Sequence, residues 1–410
     1  MPIGVLPYYA ALLPGLARPC YLETLTVKSP FGEISVETFF RDYWQKKPLL
    51  IKNAFPTDLA ATTPEELAAL AMEEEVDARL VQHDPEKDSW HVDYGPFTKA
   101  ALRKLPRENY TLLVQAVDYF ISEVAALKQS LNMFPQWRFD DVMVSYAVKG
   151  GGVGPHLDQY DVFLIQGLGR RRWLVANPDY PSVPNDKVKL LRQIEPFTPS
   201  LDVIAEPGDM LYVPPNAPHC GTALEPCLTY SIGFRAPAQA DIAARLADYL
   251  TEQEMDGVRY ADPELQAAMD SAQISAAQMQ KVKTLMSALM NDTTALEKSY
   301  AALVTQTRFS LTPVAKNWSK DKLIAALRKN KTLVRDDNAR FAWFIGQDKA
   351  VHLFANGLEI PVSGISAESA QFLSNTTEVN AEAVERFADD LSFPDLLTTL
   401  FNAGAFQLAA

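Results

Sequence analysis

Helical spacing of apolar positions dominates the first third of the chain. In "ISVETFFRDYWQKKPLLIKNAF" Phe39, Tyr43 and Trp44 recur on one helical face, Pro48 stops the helix, and a short strand follows. "TPEELAALAMEEEV" predicts a helix capped by Thr63, with Pro64 and glutamates in its first turn. "YTLLVQAVDYFISEVAALKQSL" reads as a further helix. From about Arg138 the pattern changes to short apolar or alternating runs parted by Gly, Pro and Asn. These are "DDVMVSYAVKG", "HLDQYDVFLIQGLG", "RRRWLVANP", "LDVIAEPGDMLYVPP" and "CLTYSIGFRAP", and their spacing predicts an antiparallel sandwich or barrel.

After Pro237 the chain turns rich in Ala, Glu, Gln and Met. "ADIAARLADYLTEQ" and "AAQMQKVKTLMSALM" predict amphipathic helices, whose Met and Leu stripe suits either core packing or a subunit interface. In the tail, "SKDKLIAALRKN" predicts a helix. "KTLVR", "RFAWFIG" and "VHLFANGLEIPV" predict a small meander with Asn356-Gly357 as a turn, and two more helices follow, a pattern like a winged helix.

Composition sharpens this picture. A chain of 410 residues implies two or three domains. Its formal charge of −13 gives no general reason to bind nucleic acid, although it suits a basic protein partner. The tail itself carries ten Lys/Arg against twelve Asp/Glu between Leu311 and Ala410, which argues against a phosphate footprint. Cys20, Cys220 and Cys227 fit no disulfide framework, so a reducing cytoplasm is expected. No apolar run is long enough to cross a bilayer, and residues 1–30 read as an N-terminal extension without the basic start of a signal peptide.

Candidate chemistry centres on "KGGGVGPHLDQYDVF". A histidine and an aspartate two apart on a strand share a face, so His156 and Asp158 can meet one metal while Leu157 points into a core. The preceding glycines permit tight turning and close approach. The chain has only five histidines. Of these, His219 stands at the end of "EPGDMLYVPPNAPH", a turn, strand and loop that resembles the second cupin motif. Two imidazoles and one carboxylate make the facial triad of non-haem Fe(II) oxygenases, with three positions left for a chelating cosubstrate and O₂. "WHVDYG" holds a second His-x-Asp, His91 and Asp93, without the glycine lead-in or a matching downstream histidine, and it is set aside. His83 and His352 read as surface or packing residues.

A 2-oxoglutarate cosubstrate chelates iron at one end and needs a cation for its far carboxylate. "GLGRRRWLV" supplies three arginines on the next strand, and a guanidinium fork suits a carboxylate. Alternation sends Arg171 to one face with Trp173, and Arg170 and Arg172 to the other, leaving open which face is inward.

The motif "GGGVGPHLDQYDVFLIQGLGRRRWLV" resembles that of the Jumonji-C ribosomal oxygenases, in particular the bacterial enzymes that hydroxylate an arginine of large-subunit ribosomal protein L-sixteen. "DYWQKKPLLIKNAF", "PGDMLYVPPNAPH" and "YSIGFRAP" extend the likeness. The resemblance implies metal ligands at His156, Asp158 and His219, a 2-oxoglutarate anchor at Arg171, and a hydroxyl contact from Ser145. It implies an α+β protein whose catalytic core is a double-stranded β-helix (residues 31–237). A helical dimerisation domain (238–308) and a winged-helix-like domain without a DNA role (309–410) would follow. Fe(II), 2-oxoglutarate and O₂ are then the expected cofactor and cosubstrates, the ribosomal protein the expected partner, and a cytoplasmic homodimer the expected state. The extension over residues 1–30 departs from the family pattern, as a misplaced start site would. Gln159 and Tyr160 follow the ligands and suit either a substrate entrance or packing. Two other classes compete. A cupin-type metal enzyme working without 2-oxoglutarate would not need Arg171, and a non-catalytic scaffold would not need the metal.

Overall fold

The Ser35 hydroxyl accepts from the Thr38 backbone N–H and starts a helix over Val36–Asp42. In the computed structural model, which describes residues 30–185, 191–254, 257–263, 265 and 272–409, the helix buries Phe39 completely. Phe39 stacks on Phe31 with centroids 4.1 Å apart and meets Tyr212 edge-on at 5.0 Å, with Phe163 and Phe134 around it. The predicted strand follows as β1 (Leu49–Ile51). Thr63 then caps a helix over Pro64–Leu70, as the sequence suggested, and does so by reciprocal bonding with Glu66. The extension over residues 1–29 lies outside the described residues.

The next strands were less legible. β2 (Ala78–Asp84) and β3 (Ser89–Tyr94) form a hairpin that the sequence pattern did not reveal. "YTLLVQAVDYF" does not begin a helix. Tyr110–Val114 is strand β4, and only short helical turns follow, at Val117–Tyr119 and Ser122–Ala126. Its apolar run is buried because it lies between β2 and the later strand Phe139–Ala147, and sheet partners outweigh local helix preference.

Strands β5 (Phe139–Ala147), β6 (Val162–Leu168), β9 (Met210–Val213) and β11 (Cys227–Phe234) complete an eight-stranded antiparallel sheet ordered β1-β9-β6-β11-β5-β4-β2-β3. A second sheet is ordered β10-β7-β8, from His219–Ala223, Arg171–Val175 and Leu201–Ala205. On β6 and β9 both faces are buried, and the twofold periodicity divides them between two cores. Phe163, Ile165, Met210 and Tyr212 pack with the helical layer. Val162, Leu164, Leu211 and Val213 pack with Trp173 and Val175 of the smaller sheet. The result is the antiparallel sandwich expected, in double-stranded β-helix form.

The chain divides between Ala236 and Pro237. The second unit opens with helices over Gln239–Glu252, Ala276–Met290 and Thr293–Thr305. Ser319 caps the next helix, Lys320–Arg328. A meander of β13 (Phe341–Ile345), β14 (Val351–Ala355) and β15 (Leu358–Glu359) turns at Asn356-Gly357, both with positive φ. "KTLVR" is not part of that meander. Leu333–Arg335 (β12) lies between β16 (Glu378–Val379) and β17 (Phe406–Leu408) in a separate sheet, because Leu333 belongs to the buried core of the unit. Three helices, not two, follow the meander: Ala367–Asn375, Ala381–Arg386 and Phe393–Asn402. Among the described residues no helix is long and apolar enough to cross a membrane.

Phe39 has no solvent contact to regain and its neighbours are rings locked against one another, so Phe39→Ala is expected to cost about 3–5 kcal/mol, measured by denaturant unfolding.

Candidate active site

The glycine run reaches β10 before it reaches its own strand. Gly150 N donates to Ala223 O and Ala223 N to Gly151 O, and farther along His156 N donates to His219 O at 3.0 Å and His219 N back to His156 O at 2.8 Å. The run therefore lies antiparallel to β10, with His156 and His219 as a directly opposed, hydrogen-bonded pair. At Gly152 any Cβ would stand 2.5 Å from Gly221 O, so only glycine can pass β10 this closely.

His156 and Asp158 are thus not on a strand, as expected from alternation; β6 starts only at Val162. They lie on an extended loop, and Leu157 between them is half-buried rather than in a core. The loop is stitched to the His219 segment, where Asn216 N donates to the Asp158 carbonyl at 2.6 Å.

The pair nevertheless meets its third member. One ligand atom from each of His156, Asp158 and His219 lies within 4.8 Å of the others, the only such cluster among the described residues. The imidazoles have centroids 4.2 Å apart, and His219 Nε2 is 3.7 Å from Asp158 Oδ2. Each Nδ1 is turned to a backbone carbonyl, His156 to Gly154 O at 2.9 Å and His219 to Ala217 O at 3.0 Å. Each Nε2 is then left with the lone pair, that of His219 facing Asp158, as ligation of a divalent metal requires. Burial, reinforced by neighbouring His156, lowers the His219 pKa to about 4, so it is neutral and ready to ligate at neutral pH.

Arg171 comes from β7 and crosses to the larger sheet. Nη1 donates to Ser145 Oγ at 3.1 Å and lies 3.4 Å from Thr229 Oγ1, while Nη2 donates to Gly221 O at 3.3 Å. Ser145 on β5 and Thr229 on β11 are direct cross-strand partners, so the guanidinium meets a short hydroxyl row. Its Cζ stands 4.8 Å from the Trp173 ring centroid. Arg171 is 4% exposed, among the described residues no carboxylate pairs with it, and its Nε has no partner. Burial pushes its pKa down, yet arginine begins high enough to remain charged. A buried cation with an open donor and no counter-anion fits an anionic ligand. Arg170 and Arg172 face outward and are neutralised by Glu225 and Asp202. Tertiary structure thereby resolves the face that alternation left open.

The other singled-out residues lie elsewhere. His91 and Asp93 sit exposed on β3 and bond to each other at 3.1 Å. His83 stacks on Trp90, and His352 pairs with Glu359 in the second unit. Gln159 is exposed, and Tyr160 borders the triad, its phenol pKa raised by desolvation and by the carboxylates of Asp158 and Asp141. Sequence reasoning missed Thr229 and Gly221, which carry no signal except a hydroxyl and a glycine inside strands.

A double-stranded β-helix holding two histidines, one carboxylate and a buried unpaired arginine defines a metal-dependent oxygenase of the cupin class. A JmjC-domain model matches residues 126–242, and a ROXA-like winged-helix model matches residues 288–407. The chain is 38% identical over 368 residues, 89% of its length, to the ribosomal protein uL16 3-hydroxylase of Escherichia coli, covering 95% of that protein. It is 39% identical over 228 residues to a probable ribosomal oxygenase of Haemophilus influenzae, covering 54% of this chain and 55% of that protein. The solved E. coli ribosomal oxygenase YcfD in complex with cobalt and 2-oxoglutarate superposes with a TM-score of 0.79 at 35% identity, over 92% of this chain and 99% of that one. The chain belongs to the JmjC-domain ribosomal oxygenases.

Two outcomes follow from the site's electrostatics. Between pH 6.5 and about 4 the unfolded chain takes up a proton that folded, metal-free His219 refuses, so its contribution to stability falls as pH falls through that window. Denaturation of the apoprotein against pH checks this, with His219→Gln flattening the slope. A dicarboxylate at a hundred times its Kd should stabilise the protein by about 2.7 kcal/mol, and Arg171→Ala should abolish the effect in thermal-shift measurements.

Proposed function

We propose that this protein is an Fe(II)- and 2-oxoglutarate-dependent hydroxylase of an arginine side chain, at C3, in a large-subunit ribosomal protein, the L-sixteen protein. The observation that carries the reading is Arg171, a buried cation without an anion, on the same β-sandwich as a two-histidine, one-carboxylate cluster. His156, Asp158 and His219 would hold the metal, with Nε2 lone pairs aimed by the Gly154 and Ala217 carbonyls. Arg171 and Ser145 would hold the far carboxylate of 2-oxoglutarate, and Thr229 joins them through its hydroxyl. Bound there, Fe(II) with 2-oxoglutarate and O₂ supplies the chemistry that inserts one oxygen atom into an unactivated C–H bond, with succinate and CO₂ as co-products.

The protein's part would be to hold the metal through three side chains, orient the cosubstrate and exclude water. His219 is 3% exposed and neutral, so it donates no proton to the reacting groups near neutral pH. At the more open side Tyr160, 41% exposed, stands beside Asp158 and Asp141. The E. coli relative is named as a 3-hydroxylase of ribosomal protein uL16, which supports the L-sixteen protein as substrate.

The reading extends to a homodimer in the cytoplasm. Helix Ala276–Met290 has no buried residue, and it presents Met279, Val282, Met286 and Met290 on one face, each 40–54% exposed. That stripe suits a partner helix better than water.

Anaerobic reconstitution with Fe(II), then exposure to O₂, 2-oxoglutarate and a fragment of the organism's own L-sixteen protein, tests the reading. Mass spectrometry should find one added oxygen on an arginine, matched by succinate, with both lost in His156→Ala and Arg171→Ala. Succinate without fragment oxidation would reject this substrate and keep the chemistry.

A further inference from the structure

We propose that Gly221 and Trp173 set the depth of the pocket closed by Arg171, and so select the length of the dicarboxylate that enters it. The inference rests on reading Arg171 as the cosubstrate anchor.

Gly221 lies two residues beyond His219 on β10 and therefore faces the same side. Trp173 is its direct partner on β7, and Arg171 is two residues away on that strand. A Cβ placed on Gly221 would stand 2.5 Å from Trp173 Cζ3, 2.6 Å from Trp173 Cη2 and 2.8 Å from Arg171 Nε. Gly221 is not in the left-handed region, so its lack of a side chain is a matter of space and not of backbone conformation. The same residue accepts from Arg171 Nη2 through its carbonyl, which fixes the guanidinium against β10.

Trp173 supplies the other wall. It is 5% exposed, with Arg171 Cζ 4.8 Å from its ring centroid and the His219 ring centroid 6.2 Å away. The indole is thus in contact with the anchor and close to a member of the triad. It acts as a spacer, and its rigid ring fixes the separation of the two ends that a bridging ligand must span. Both residues are specificity-determining through Arg171 and neither touches the reacting atoms.

A methyl group at position 221 would intrude beside Arg171 Nε and shorten the pocket. Calorimetric titration of full-length protein loaded with Mn(II) would compare 2-oxoglutarate with the one-carbon-shorter oxaloacetate. In Gly221→Ala the Kd for 2-oxoglutarate should rise about ten- to a hundredfold, the usual penalty of overpacking, and that for oxaloacetate should rise less. Adding Trp173→Phe removes the ring atoms the methyl meets, so the double variant should recover most of the lost 2-oxoglutarate affinity. An unchanged 2-oxoglutarate Kd in Gly221→Ala would overturn the inference. Equal loss for both ligands without recovery in the double variant would overturn it too, because it would make Gly221 a packing residue alone. Failure of the unaltered protein to bind 2-oxoglutarate would instead remove the reading beneath it.

Discussion

The reciprocal backbone hydrogen bonds between His156 and His219 are the constraint on which the site depends. The Gly150 and Gly151 bonds to Ala223 hold the start of the glycine run, but only the His156–His219 pair sets His156 directly opposite its partner on β10. Through those bonds, two imidazoles 63 positions apart in sequence become opposed residues of one antiparallel pair, and Asp158 follows on the same extended segment. The bridge works only because the run can pass β10 without side chains, as the close approach of Gly152 to the Gly221 carbonyl requires. Backbone pairing, a strong and directional interaction, thereby does the positioning, and the side chains inherit it.

A second constraint runs across the sandwich. Arg171 leaves the smaller sheet and ends among the hydroxyls of the larger one, with an indole against its face. Burying a guanidinium without a counter-charge is costly, and the surrounding fold tolerates it through neutral hydrogen bonds and the Trp173 ring. An anion bound there would offset the cost, drawing on a charge already desolvated and aimed. The triad has the opposite character: two imidazoles, of which His219 is held neutral by burial, and one carboxylate, a set suited to a cation. One β-sandwich therefore carries a cluster able to hold a metal and a buried cation able to hold a carboxylate.

Behind both sites the first core is built of interlocking rings. Tyr212 ties it to the catalytic loop, donating to buried Asp161 at 2.7 Å while accepting from the Gln45 N–H. Arg138 and the Gln45 side chain complete the satisfaction of that carboxylate. Asp161 comes three residues after Asp158, so the far end of the loop is anchored as firmly as its near end.

The residues of the site were legible in the sequence because chemistry restricts them. Few histidines, a glycine lead-in and a turn-strand-loop before His219 left little choice. The helix over Val36–Asp42, the capped helix over Pro64–Leu70 and the strands from Phe139 onward were legible because caps, prolines and periodicity act locally. The strand character of Tyr110–Val114 and the place of Leu333–Arg335 were not, since each is decided by a distant strand, and the hairpin β2–β3 went unread although its two strands are neighbours in sequence. Alternation could not say which arginine points inward, and it misplaced His156 and Asp158 on a strand. The sequence by itself determined which groups could carry the chemistry; only the tertiary structure decided how they meet. Local preference acts over a few residues, whereas the bridge to β10 and the burial of Arg171 exist only once both sheets have closed on one another.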